Sequence, residues 1–160
     1  MEKQRYWRNS SFQWGFVSRF LHWGMAILII GMLSSGLYMV GLPNSPFKFS
    51  LYDLHKATGF IILLLLVFRL LWRLSQIVPR TDQLSHFHQF LAKMSAPILY
   101  LVLFTMPLSG IVMSQAGGHA INVYGWFTLS QLIDKNPKIA MYAAMVHNTT
   151  GWTLVGLIIL

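Results

Sequence analysis

No cysteine occurs in the 160 residues. That excludes disulfide frameworks, thiolate-held iron–sulfur clusters, cysteine-based zinc sites and the C-x-x-C-H attachment of c-type haem. Acidic residues are nearly missing as well: four Asp and Glu stand against twelve Lys and Arg, a formal net charge of +8. Only 10% of the residues are charged, where a soluble domain carries about 25%. With 55% hydrophobic residues, the composition suits a lipid bilayer. The Lys and Arg sit where apolar runs end, so they read as membrane anchors and topology signals, and no nucleic-acid partner is expected.

Four apolar runs stand out. From Phe20 to Leu42 no Lys, Arg, Asp or Glu occurs for 23 residues. The others cover about 54–74, 94–116 and 139–160. A spanning helix needs roughly 20 residues at about 1.5 Å each, a length the first three meet outright. The connectors hold the breakers: Gly41-Leu42-Pro43-Asn44-Ser45-Pro46, Val78-Pro79-Arg80-Thr81-Asp82, then Gly117-Gly118 through Asn136-Pro137. Tyr124, Trp126 and Phe127 in the last connector read as an interfacial aromatic belt, as do Tyr6, Trp7, Phe12 and Trp14. The expected fold is all-α, an up-down membrane-embedded four-helix bundle.

Orientation comes from the basic residues. The first segment and the link between runs two and three lie on one side, which holds Lys3, Arg5, Arg8, Arg19, Arg69, Arg73, Arg80 and Lys93, eight in all. The opposite side holds four: Lys48, Lys56, Lys135 and Lys138. The positive-inside rule therefore puts both termini in the cytoplasm. Run one is too long for a signal-peptide core and lacks a cleavage site, so it reads as a retained anchor.

Three of the six histidines fall on runs, each near an end: His22, His55 and His147. His55 and His147 share a depth on different helices, the arrangement of an axial pair for b-type haem iron. Both begin the same motif, H-x-x-T-G, as His55-Lys56-Ala57-Thr58-Gly59 and His147-Asn148-Thr149-Thr150-Gly151. Gly59 and Gly151 lie one turn on, on the histidine face, where a flat macrocycle can approach the backbone. Tight helix packing explains the glycines equally well. His22 has Ala26 at that offset and no histidine at its own depth. His86 and His88 read as solvated connector residues, His119 as a loop residue, and the nine Met as lipid-facing or core filling. The sequence ends at Leu160 within an apolar run, so the fourth helix is expected to be truncated and to continue inward.

The ordered set from Phe16 onward resembles the bacterial cytochrome b561 / nickel-hydrogenase cytochrome b family. Its carriers are Arg19-Phe20-Leu21-His22-Trp23, His55-x-x-x-Gly59, Arg69-Leu70-Leu71-Trp72-Arg73, Tyr100-Leu101, Pro107-Leu108-Ser109-Gly110, Val123-Tyr124-Gly125-Trp126-Phe127 and His147. The place four residues before Tyr100, often His in the family, is Ala96. The resemblance implies one transmembrane cytochrome b domain over residues 1–160 holding two haem b groups. His55 and His147 would ligate the outer haem iron. His22 would ligate the inner one, with a second histidine about four turns, roughly 21 Å, beyond His147. Lys56 and Arg69 have two readings, pairing with haem propionates or, for Lys56, attracting an anionic reductant, against snorkelling to headgroups. Snorkelling is the expectation for Arg73.

The function this implies is electron transfer between an outer-face donor and membrane quinone in the bacterial inner membrane, with superoxide:ubiquinone oxidoreductase as the candidate activity. Superoxide or a redox partner protein is the candidate donor, and a homodimer is left open. The alternative is the cytochrome b anchor subunit of a nickel-hydrogenase-type complex. A proton or solute transporter is a third class, weakened because no Asp or Glu falls within an apolar run.

Overall fold

The computed structural model describes residues 6–159. Lys3 and Arg5, counted above toward orientation, lie outside the described residues, as does the expected continuation past Leu160. Among the described residues four long helices make up the architecture: α1 (Phe16–Val40), α2 (Pro46–Leu74), α3 (His86–Ala116) and α4 (Pro137–Ile159). Between α3 and α4 a two-stranded hairpin forms from β1 (Asn122–Val123) and β2 (Phe127–Thr128). It is antiparallel, with Asn122 opposite Thr128 and Val123 opposite Phe127. The all-α bundle expected from the apolar runs is the fold observed.

Among the described residues three helices, α1, α2 and α3, are long and apolar enough to cross a membrane. The 23 residues of α4 span about 34 Å, more than the roughly 30 Å hydrocarbon core, but His147, Asn148, Thr149 and Thr150 interrupt its apolar run. The bundle's outer surface is apolar: Phe20, Ile27, Leu64, Phe68 and Leu101 are all at least half exposed. In water such a surface would drive association, whereas hydrocarbon solvates it.

α2, α3 and α4 start earlier than their apolar runs, because side-chain capping rather than hydropathy sets where they begin. Ser45 caps α2 by accepting from the Lys48 backbone N–H at 3.2 Å, with Pro46 in the first turn. This draws Lys48, Asp53 and Lys56 onto the helix. Lys48 is buried because its Nζ donates to the Leu42 carbonyl at 2.7 Å. Ser85 caps α3, so His86 and His88, expected in a polar connector, lie on its first turn, still exposed. Asn136 Oδ1 caps α4 by accepting from the Lys138 and Ile139 N–H groups.

Neighbouring helices run antiparallel, α1 against α2 and α3 against α4, with α2 also packed on α3. Met25, Ile62 and Leu66 form the buried centre, with Ile29, Met32, Leu65, Leu103 and Phe104 around them. At one end the segment before α1 is tied to the end of α2. Asn9 Nδ2 donates to the Ile77 carbonyl, and its Oδ1 accepts from the Gly15 N–H and the Ser18 hydroxyl. At the other end Gln115 holds the long connector through Ser130 and Leu132.

Leu66 has no exposed surface and joins α2 to its neighbours. Leu66→Ala should destabilise the bundle by about 2 kcal/mol, near the low end for a buried leucine because lipid removes part of the transfer cost. Thermal unfolding in detergent, with the exposed Leu64→Ala as control, measures it; equal losses would contradict this core.

Candidate functional site

His55 and His147, on α2 and α4, face each other across the bundle with ring centroids 6.3 Å apart and planes at 78°. Each ring is held from behind through Nδ1. His147 Nδ1 lies 2.9 Å from the Met106 carbonyl, and a carbonyl only accepts, so Nδ1 carries the proton. His55 Nδ1 lies 3.3 Å from Ser35 Oγ. The Ser35 hydroxyl already donates to the Met32 carbonyl at 3.0 Å, so it accepts from His55. Both imidazoles are therefore the Nδ1–H tautomer, with the Nε2 lone pair available for a metal. Among the described residues neither Nε2 has a hydrogen-bond partner.

The space beside the two rings, about 90 Å³, is lined by Met32, Gly59, Met106, Gly110 and other apolar groups. A Cβ on Gly59 would meet the Met32 methyl at 3.7 Å, and one on Gly151 would meet the Met106 methyl at 3.4 Å. These unbranched thioethers adapt their packing at small cost. Lys56 also lines the space, but its Nζ is engaged by the Ala120 carbonyl at 3.1 Å and Asp53 at 2.7 Å. The hairpin docks onto α2 just beyond His55. The Tyr124 hydroxyl donates to Thr58 Oγ1 at 2.7 Å, since the Thr58 hydroxyl is spent on the Leu54 carbonyl. Phe127 packs edge-on to Phe60, and Tyr124, in the hairpin turn, adopts a left-handed backbone at φ 53°.

His22 lies toward the opposite end, in a different setting. Its Nδ1 is 3.0 Å from Arg69 Nη2. A guanidinium only donates, so here Nδ1 accepts and Nε2 is protonated, the reverse of the other two histidines. Arg69 also lies over the Tyr100 ring at 5.7 Å. Arg73, expected to snorkel, lies over Trp14 at 5.7 Å. The cleft here is about 760 Å³ and is lined by Arg19, His22, Trp23, Arg69, Arg73 and Tyr100 among others. No second histidine lines it among the described residues.

Residues 13–160 match the family described as prokaryotic cytochrome b561. The chain belongs to that family. It is similar to cytochrome b561 homolog 2 of Escherichia coli (strain K12), 32% identical over 156 residues, covering 92% of this chain and 79% of the relative. Prokaryotic cytochromes b561 are transmembrane haem b electron-transfer proteins, so this one is a multi-pass membrane protein of a family that binds haem b.

The residues of this cytochrome b561 fit such a group at the His55/His147 end. Two imidazoles on one metal, each nitrogen about 2 Å away, put their ring centroids roughly 6 Å apart, as observed. No cluster of three or more His, Cys, Asp or Glu forms among the described residues. An iron held by two protein nitrogens fits a macrocycle that fills its remaining positions. At His22 the fit demands change: Arg69 must release Nδ1 before Nε2 can offer a lone pair.

Sequence reasoning found the histidines but missed what holds them. Met32-Leu33-Ser34-Ser35-Gly36 on α1 and Met106-Pro107-Leu108-Ser109-Gly110 on α3 share one pattern, M-x-x-S-G. Each faces one H-x-x-T-G. The repeat was there to be read, although only the folded pairing of helices shows its purpose. A Cβ at Gly110 would lie 3.1 Å from His147 Cε1 and 3.2 Å from Nδ1, whereas at Gly36 it would lie 3.5 Å from His55 Cε1. Gly110→Ala should therefore push the His147 ring aside and lower haem content per chain severalfold, while Gly36→Ala keeps it near normal. Haem counted against protein after purification checks this; identical haem contents would refute the contrast.

Proposed function

We propose that this cytochrome b561 is a transmembrane electron carrier in which His55 and His147 would hold the iron of one haem b through their Nε2 atoms. Electrons enter from a donor at the end carrying these histidines and leave to membrane quinone. The observation supporting this reading is the pair of opposed imidazoles, both held as the Nδ1–H tautomer. Haem b, when bound, supplies the one-electron couple. The chain's part is to present two neutral nitrogens, fix their tautomers through Nδ1 and keep the setting apolar.

His22 is the ligand for a second haem b in this reading. Its use requires the proton to move from Nε2 to Nδ1 and Arg69 to let go, which frees the guanidinium for a carboxylate such as a propionate. In this reading superoxide is the outer donor and superoxide:ubiquinone oxidoreductase the specific activity; Lys56 beside the outer site is paired with Asp53 at 2.7 Å and would have to leave that partner to attract the anion. The Lys and Arg bias supports a cytoplasmic location for the His22 end and both termini, and the membrane in this reading is the bacterial inner membrane. All 160 residues work as one cytochrome b domain.

His55→Ala and His147→Ala should each abolish one low-spin b-type signal in a reduced-minus-oxidised spectrum while the protein still inserts. If both keep the wild-type spectrum, the ligand pair is wrong. In liposomes, superoxide and a quinol should each change the haem redox state of the purified protein. A response seen only after a partner protein is added would favour the hydrogenase-type anchor subunit.

A further inference from the structure

We infer that Ser35 and Ser109 are positioning residues for the two axial imidazoles, and that the Ser35 hydroxyl sets how strongly His55 donates to iron. The inference rests on the ligation proposed above. A serine within a helix commonly bonds back to a carbonyl of the preceding turn, and both serines do: Ser35 Oγ to Met32 O at 3.0 Å, Ser109 Oγ to Met106 O at 2.9 Å. That habit explains where the hydroxyl proton goes. It does not explain why, in both cases, a histidine Nδ1 lies 3.3 Å from the same oxygen.

With its proton committed, each oxygen can act toward the ring only as an acceptor. The back-bond thus turns an ambiguous hydroxyl into a fixed one; at His55 it selects the tautomer that leaves Nε2 free, and at His147 it agrees with the tautomer the Met106 carbonyl already sets. The glycine after each serine makes room for the ring, since its missing Cβ would lie within 3.5 Å of an imidazole carbon in both places. One half-site comes from α1 with α2 and the other from α3 with α4.

The two half-sites differ in strength. His147 Nδ1 has the Met106 carbonyl at 2.9 Å in addition to Ser109, so it keeps an acceptor if the serine is lost. His55 has Ser35 as its hydrogen-bond partner among the described residues. An acceptor on Nδ1–H raises the basicity of the ring and strengthens its donation to the metal. Stronger donation favours the ferric state. Loss of the Ser35 oxygen should therefore favour ferrous iron, and loss of the Ser109 oxygen should do so much less.

The test uses the full chain loaded with haem b, in detergent, as wild type, Ser35→Ala, Ser35→Thr, Ser109→Ala, His55→Ala and His147→Ala. Redox titration followed by visible spectra and low-temperature electron paramagnetic resonance gives the readout. At fixed poise, Ser35→Ala should raise the ferrous-to-ferric ratio about fivefold, the scale of one neutral hydrogen bond, and shift the low-spin signal. Ser109→Ala should move the ratio less than twofold, and Ser35→Thr, which keeps the oxygen, should restore wild-type values. An unchanged Ser35→Ala ratio, with His55→Ala losing the signal, overturns the inference and leaves the ligation standing. Equal shifts in both alanine variants overturn the assignment to a single hydroxyl. Haem loss in Ser35→Ala that Ser35→Thr reverses supports positioning, and haem loss in both overturns it. If His55→Ala and His147→Ala both keep the wild-type spectrum, ligation and inference fall together.

Discussion

A polar group inside a bilayer has no water to fall back on, so every buried N–H must find an acceptor within the protein. This constraint shapes the histidine sites of the bundle. Each imidazole between α1 and α4 needs a place for its Nδ1 proton. The Met106 carbonyl meets that need for His147, and the Ser35 hydroxyl meets it for His55. Meeting it orients the rings, leaves Nε2 without a proton, and holds the centroids 6.3 Å apart. The packing of α1 on α2 and of α3 on α4 serves this pairing, because the acceptors sit on the helices next to those bearing the histidines.

The same rule acts with opposite effect at His22. There the nearest polar group is the Arg69 guanidinium, a pure donor, so the ring answers with Nδ1 as acceptor. Two histidines with acceptors behind them and one with a donor behind it are thus differently prepared for a metal. The basic and aromatic residues around His22 make its cleft wide and cationic, whereas the space at His55 and His147 is narrow and apolar. The hairpin adds to this contrast. It is pinned to α2 just beyond His55 by Tyr124 and Phe127, with the Lys56–Ala120 contact beside it.

Much was legible in the residues alone. Charge-free runs and their lengths announce membrane helices, because transfer into hydrocarbon depends on composition and needs no knowledge of neighbours. The two H-x-x-T-G motifs mark His55 and His147 by helical periodicity, a local property of the same kind. Helix starts were less legible: Ser45 and Ser85 extend α2 and α3 past the apolar boundaries through capping bonds, which hydropathy does not register. His86 and His88 were misplaced for that reason.

What the sequence by itself determined is the set of helices, their apolar surfaces and the histidines at membrane depth, all consequences of side-chain chemistry read along one chain. Which group lies behind each histidine was decided only by the tertiary structure. Ser35 is 20 residues from His55, Ser109 is 38 from His147, and Arg69 is 47 from His22. A hydrogen bond depends on separations of about 3 Å, and helix packing alone brings such distant residues that close.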